Sequence, residues 1–470
     1  MASQTPTSVV IDMQLDLSDI QGNVLRGYRL PFARYIFLRL TEAAAARAFL
    51  SEMAPLVTNA EIWDEGKPES TLNIAISATG LQALDLPVET LNSFPPEFLE
   101  GMAKRNEILG DRGASAPENW EPMWGERIDS WMSINAVSQD ALERAYARVT
   151  QAIEKTKGAE VAFYQDAGVL FVNGKPAPIE HFGFADGFAQ PDFIGGQAVD
   201  TPGDGKIGRR GAWDEIATGE FILGHRNEAD ELPVSPKPWV LAKNGSFLVY
   251  RKLQQDVTGF RAYVADWGSR YAGGPEKLMA KMIGRWRDGT PLALSPDKMD
   301  KSIVSDPNRV NNFTYGDDPE GAKCPIGAHV RRANPRDSLG FDGRLATRRR
   351  IVRRGLPYGP HAPEGQPVDD QERGIIFMAL NASISRQFEF VQQQWINYGN
   401  DMALGEEVDP IIGANDGTGR FVIPGDRKSK EEPFICGRLP SFVTLKGGGY
   451  FFLPGLNALR FLAAGNIDPR

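Results

Sequence analysis

The chain holds four histidines, and two of them sit among other residues that could do chemistry. His181 belongs to Glu180-His181-Phe182-Gly183-Phe184-Ala185-Asp186-Gly187, and His329 to Cys324-Pro325-Ile326-Gly327-Ala328-His329-Val330-Arg331-Arg332. Imidazole is the commonest protein ligand to metals and titrates near neutrality. Read alone, either ring is sooner a hydrogen-bonded core or surface residue than a ligand, by roughly 3:1. His225 closes Phe221-Ile222-Leu223-Gly224-His225 at a loop boundary and reads as a surface or structural side chain. His361, in Gly359-Pro360-His361-Ala362-Pro363, reads as exposed. Asp186 offers a carboxylate for acid–base work, although Ala-Asp-Gly is also ordinary tight-turn sequence.

The basic run Arg348-Arg349-Arg350-Ile351-Val352-Arg353-Arg354 has the composition of a solvated strand edge or a phosphate patch. If it is a strand, Ile351 and Arg353 share one face and Val352 and Arg354 the other, so one of the two arginines can point inward. A buried guanidinium requires an anion such as a carboxylate, a phosphate or a haem propionate. Paired His at i, i+4, HExxH and CxxC are all missing, which argues against a closed zinc site. Gly-x-Ser-x-Gly and P-loop patterns are missing too, which removes the commonest hydrolase and NTPase readings.

Composition narrows the class further. With 52 Lys+Arg against 61 Asp+Glu, the net charge of −9 argues against a dedicated nucleic-acid binder. Cys324 and Cys436 are too few for a disulfide framework and fit a reducing compartment. No stretch reaches the ~18 apolar residues of a membrane span. Met1-Ala2-Ser3-Gln4-Thr5-Pro6 lacks the pattern of an export signal. A soluble cytoplasmic protein is expected, with a C-terminal Gly465–Arg470 too short to read as a cargo tail.

The elements that must hold these residues recur as a strand followed by an amphipathic helix. In the first half the strands are centred on 35–40, 72–76 and 131–134. Helices follow at 42–53 (Thr41 as N-cap), from Thr79, and over 139–155, where Leu142, Ala145, Tyr146 and Val149 repeat at helical spacing. In the second half, strands 247–251, 375–380 and 450–453 lead into helices 254–266, 384–397 and one through Leu459, Phe461 and Leu462. Gly (49) and Pro (33) cluster in the stretches 107–126, 173–180, 200–212, 227–246, 355–373 and 413–434, which read as long loops. Loops of that length usually wrap a ligand site or an interface. The 470 residues allow two or three domains, and the repeat suggests an α+β fold of ferredoxin-like type.

Several of these segments together resemble the dye-decolourising peroxidase family of haem enzymes, in its longer bacterial and fungal-like branch. His181-Phe182-Gly183-Phe184-Ala185-Asp186-Gly187-Phe188-Ala189-Gln190-Pro191 resembles the family's Gly-Phe-x-Asp-Gly signature. Cys324–Arg336 is similar to the segment carrying its haem-ligating His, and Arg353-Arg354-Gly355-Leu356-Pro357-Tyr358-Gly359 to its distal-arginine segment. Flanking matches at 19–28, 219–224 and 450–454 extend the likeness over nearly the whole chain; His225 stands where relatives usually show Tyr.

The resemblance implies two ferredoxin-like halves, 1–240 with the distal Asp segment and 241–470 with the proximal His and distal Arg. Each half has an antiparallel sheet covered by helices, and haem b sits in a pocket mainly of the C-terminal half. It assigns His329 as iron ligand, Asp186 as distal acid–base residue and Arg353 as distal arginine. Arg354 is the alternative at the cofactor, and Glu389 the carboxylate that hydrogen-bonds the proximal imidazole. It implies reduction of hydrogen peroxide and oxidation of dyes or other aromatic donors through a ferryl intermediate, by a monomer or homo-oligomer. The alternative is a haem-handling protein with little turnover.

Those residue types suit the reaction. An imidazole whose second N–H is held by a carboxylate is a stronger donor to iron. An Asp can take the peroxide proton and return it to the departing oxygen, while an Arg stabilises the charge that develops. An Asp, with a reference pKa of ~3.9, remains a usable base in acid, so highest activity at acidic pH is expected. Bulky dyes exceed a peroxide-sized pocket, so electron transfer through a surface Tyr or Trp is expected, with Tyr358 a candidate.

Overall fold

The computed structural model describes residues 15–64, 66–197, 201–208, 211–426 and 432–465. The segments Met1–Pro6 and 466–470, and parts of the loops 200–212 and 413–434, lie outside the described residues.

Four strands form the first half: β1 (Phe32–Leu40), β2 (Ser70–Ile76), β3 (Ser130–Ala136) and β4 (Ala159–Gly168). The second half is built from β5 (Ser246–Gln255), the short β6 (Val352–Arg353) and β7 (Leu356–Tyr358), β8 (Gly374–Asn381) and β9 (Val443–Leu453). Within the first half the order is β2-β3-β1-β4. In the second, β6 and β7 together stand beside β8, then β5 and β9, so both halves show the same second-third-first-fourth order. This is the ferredoxin-like arrangement, duplicated. The halves are not separate sheets: Phe452 of β9 pairs with Ile76 of β2, giving one antiparallel sheet of nine strands.

Strand alternation sorts the core into two layers. One face of β1 (Ile36, Leu38, Leu40) packs under the helices Ala43–Met53, Gln139–Thr156 and Leu456–Ala464, with Phe49, Leu142 and Leu459 in that layer. The other face (Tyr35, Phe37) meets Trp131, Tyr250 and Phe451 in an aromatic interior. The helix Gln139–Thr156 begins where expected, with Ser138 Oγ accepting from Ala141 N. Thr41 is not a cap; its hydroxyl donates to Lys157 O at 2.7 Å.

Three expectations shift. The helix expected over 254–266 is Val257–Gly268, because Gln254 and Gln255 continue β5 and Asp256 caps the helix through Gly259 N. The helix over 384–397 is two π-helical pieces, Ser385–Glu389 and Val391–Ile396. The stretch 413–434 is not all loop, since Gly419–Ile423 pairs with Phe434–Leu439. Among the described residues no helix is long and apolar enough to cross a membrane. Cys324 and Cys436 are both buried and unbridged.

Candidate active site

A cavity in the second half gathers His329, Asp186 and Arg353 in one wall system. Leu253 and Gln255 of β5 and Ile375 and Phe377 of β8 line its sheet side. Phe388, Val391 and Ile396 line it from the π-helical pieces.

His329 opens a five-residue helical turn, His329–Ala333. The two following arginines, both buried, fix that turn. Arg331 Nη1 donates to Cys324 O at 2.7 Å and pairs with Asp318, and Arg332 donates to Trp395 O and Glu407 O. Their role is structural anchoring of the imidazole. His329 Nδ1 donates to Asp409 Oδ2 at 2.9 Å, and Asp409 is fully buried, its Oδ1 accepting from Ile411 N and Ile412 N. Burial pushes the His329 pKa down, but the charge and hydrogen bond of Asp409 outweigh it and the net shift is upward. With Nδ1 engaged, Nε2 is the nitrogen left for a ligand in the cavity.

Glu389 is not the partner of His329, which corrects the expectation. Phe388 turns its ring into the cavity, and the adjacent Glu389 side chain lies behind that wall. There it accepts Arg105 Nη2 at 2.7 Å and the Tyr450 hydroxyl at 2.9 Å. Asp409, which does hold the imidazole, gives no signal in the sequence, because Val408-Asp409-Pro410 has the composition of an ordinary turn.

The Asp186 loop is shaped by its own backbone. Gly183 (φ 96°) and Gly187 (φ 92°) adopt positive φ, which glycine tolerates without strain. Ala185 N donates to Arg287 O and Asp186 N to Pro178 O. Glu180, also in the cavity wall, accepts from Phe182 N, Phe184 N and Gln255 Nε2, tying the loop to β5. Burial pushes the Glu180 pKa up to about 7, against the pull of those hydrogen bonds. His181 points away from this chemistry: its Nε2 donates to Tyr358 O at 2.8 Å, and burial lowers its pKa to about 4.

The two adjacent arginines do point opposite ways, Arg353 as the last residue of β6 and Arg354 just beyond it. Arg353, paired in register with Ala379, faces the cavity and donates to Phe188 O. Arg354 faces the other way and is spent on Asn23 O (2.7 Å) and Val24 O (3.2 Å), so it is no cofactor residue. Tyr358 is buried rather than a surface residue, its hydroxyl donating to Glu372 at 2.8 Å. His225 is half-buried against Asn244 Oδ1, and His361 is half-buried rather than exposed.

One end of the cavity is strongly cationic, with Arg285, Arg336, Arg349, Arg350 and Arg353 in its lining. Arg350 makes only two long hydrogen bonds among the described residues, 3.4 Å each to Gly205 O and Ala189 O, and burial lowers its pKa to about 10 despite the nearby Asp204 carboxylate. Such an underused cation calls for an anionic group on a ligand. No cluster of three or more His, Cys, Asp or Glu side chains among the described residues could hold a bare metal ion. A single imidazole over an apolar slot with arginines at one end instead fits a metal carried inside a flat, dianionic cofactor.

Fold and site thus define a duplicated ferredoxin-like protein built around a one-histidine cofactor cavity. The DyP dimeric alpha+beta barrel domain matches residues 19–164, and the C-terminal domain of Dyp-type peroxidases matches residues 237–426. Peroxidase 2 of Mycetinis scorodonius is 30% identical, over 97% of this chain and 89% of its own. The dye-decolorizing peroxidase AauDyP1 of Auricularia auricula-judae is 32% identical, over 95% and 86%. A solved dye-decolorizing peroxidase in complex with 2,6-dimethoxyphenol superimposes with a TM-score of 0.80 at 28% identity, covering 96% of this chain and all of that one. The chain belongs to the dye-decolourising peroxidase family, and it is a haem peroxidase.

Proposed function

We propose that haem b is held in this cavity by His329 Nε2 on its iron and by Arg336 and Arg350 on its propionates, and that hydrogen peroxide is reduced there at the expense of aromatic donors. The observation that carries this is the His329–Asp409 hydrogen bond in the wall of a cavity that Asp186 and Arg353 also face. Bound haem supplies the redox chemistry; the chain supplies orientation, charge and proton handling. Asp409 keeps the Nδ1 proton and so fixes the His329 tautomer with Nε2 unprotonated. Asp186 Oδ2 is free to take a proton from peroxide and hand it to the leaving oxygen, because Oδ1 is occupied by Gly187 N at 2.6 Å. Arg353 stabilises the negative charge that passes through those oxygens.

Supporting a phenolic donor is the relative bound to 2,6-dimethoxyphenol. The division into halves is placed at 240/241, just before β5. A reducing, cytoplasmic setting is supported by two buried thiols left unbridged. Tyr358 is proposed as a relay for bulky donors, its proton passing to Glu372, and not as the surface contact itself. The haem-handling alternative finds a likeness to deferrochelatases over 24% of the chain only, and storage needs neither Asp186 nor Arg353.

Stopped-flow mixing with peroxide tests the assignment. Asp186→Asn is expected to slow the first spectral change by about 10²–10⁴-fold and to abolish the acidic optimum, with the starting haem spectrum unchanged. A variant as fast as the parent would remove Asp186 from the mechanism.

A further inference from the structure

Beside the cofactor cavity lies a second hollow of about 430 Å³, between the turn 110–115, the segment 413–416 and the start of β9. The ~150 Å³ that accommodates a benzene sets the scale: a substituted single ring fits with room to spare. Leu253, Phe377, Phe388, Ile412, Val443 and the polar Gln392 face both spaces, while none of the arginines named at the cofactor cavity lines the second. The hollow therefore adjoins the arginine-free end of the cofactor cavity, through a shared wall that is apolar except for Gln392.

Its walls are braced. Arg251 and Asp111, both buried, pair with each other at its base. Asn397 Nδ2 ties the turn to the helical layer through Leu109 O at 2.8 Å, and Leu445 N donates to Ser115 Oγ at 3.0 Å. At the rim, Asp416 is held by Thr418 N and Thr418 Oγ1. The Arg112 guanidinium, exposed at the same rim, has neither hydrogen bond nor ion pair among the described residues, its backbone carbonyl alone accepting from Ser115 N. Phe377 and Phe388, with centroids 6.1 Å apart, give the floor two aromatic rings.

An aromatic floor, rigid polar walls and a lone cation at the lip describe a site for a small aromatic anion. We propose that this hollow binds aromatic carboxylates and sulfonates that serve as electron donors, ring against Phe377 and Phe388 and anion on Arg112. The proposal rests on the peroxidase reading, because the electron crosses the shared wall to the cofactor. The balance is two phenolic donors per peroxide: H2O2 + 2 ArOH gives 2 H2O + 2 ArO•. Each donor loses one electron through the wall and one proton to water at the mouth.

Binding of 4-methylbenzenesulfonate, an anion without a phenol, to the haem-loaded protein by isothermal titration tests the site directly. Saturable binding is expected, weakened about five- to ten-fold by Arg112→Glu and abolished by Ala114→Trp, which fills the hollow from an exposed position. Neutral 4-methylphenol is expected to bind Arg112→Glu within about two-fold of the parent. No saturable binding by the parent, equal affinity in Arg112→Glu, or binding only when the cofactor is absent would overturn the proposal. The haem absorption band of each variant separates the two readings. A parent that takes up no haem contradicts the proposed function, whereas haem-loaded variants with undiminished sulfonate binding contradict this site alone.

Discussion

Asp409 spends one oxygen on two backbone N–H groups and the other on His329, so nothing about its carboxylate is free to move. Replacing it by Asn keeps the shape but removes the charge that raises the imidazole pKa. Asp409→Asn is expected to shift the haem absorption band and to cut cofactor affinity or peroxide reactivity about 10–100-fold. Glu389→Gln serves as contrast. It leaves Arg105 and Tyr450 with a poorer partner and is expected to lower the melting temperature while leaving the band in place. At this scale the chemistry was readable where it was local. Asp186, His329 and Arg353 each stand in a recognisable segment, whereas Asp409 is brought to His329 only by the folded chain. Glu389 stands where the family resemblance places a carboxylate, but the ring of the neighbouring Phe388, not its own carboxylate, faces the cavity.

Alternation along a strand decides more than the identity of its residues. Arg353 and Arg354 are chemically the same, yet Arg353 at the end of β6 faces the cavity, while Arg354, just beyond it with its N–H still on Met378 O of β8, turns into hydrogen bonds with the turn at 23–24. Peroxide kinetics, beside thermal melts, should therefore separate them. Arg354→Leu is expected to destabilise by about 2–4 kcal/mol, because the carbonyls of Asn23, Val24 and Arg353 lose their donor. Arg353→Leu takes its donor from Phe188 O and Ala189 O and so also costs stability, but it alone is expected to react with peroxide at least about 100-fold more slowly, Arg354→Leu reacting near the parent rate. The reverse pattern would show that the two have been assigned to the wrong faces. The strands and most helices were legible from period-2 and period-3.6 patterns. The exceptions have physical causes: Gln254 and Gln255 are polar enough to pass for a helix start although β8 and β9 hold them in the ladder. The hairpin at 419–423 and 434–439 has alternating Phe421 and Ile423, but the glycines, prolines and charges around it masked the signal.

Duplication was visible in the order of elements, yet nothing local predicted that the two sheets would fuse, because a pairing such as Phe452 with Ile76 is decided by distant parts of the chain. The fused sheet lets the loop carrying Asp186 reach a cavity built mostly by the second half, with Glu180 as the tie to β5. That tie has a pH signature. Burial raises the Glu180 pKa from its ordinary 4.5 to about 7, so the folded protein holds this proton more tightly than the unfolded chain does. Its contribution to stability is present below the ordinary value and is lost as pH rises through about 7. Between pH 5 and pH 8 the cofactor-free parent is expected to lose more stability than Glu180→Gln in denaturant melts; parallel losses would show that Glu180 is not so perturbed.

The most direct measurement for the molecule as a whole is a haem titration of the cofactor-free protein followed by its absorption band, alongside His329→Ala. The parent is expected to saturate at one equivalent with the spectrum of imidazole-ligated iron, and His329→Ala to lose that spectrum and bind at least about ten-fold more weakly. An unchanged spectrum and affinity in His329→Ala would mean that the iron is held elsewhere, and the site built around this residue would fall.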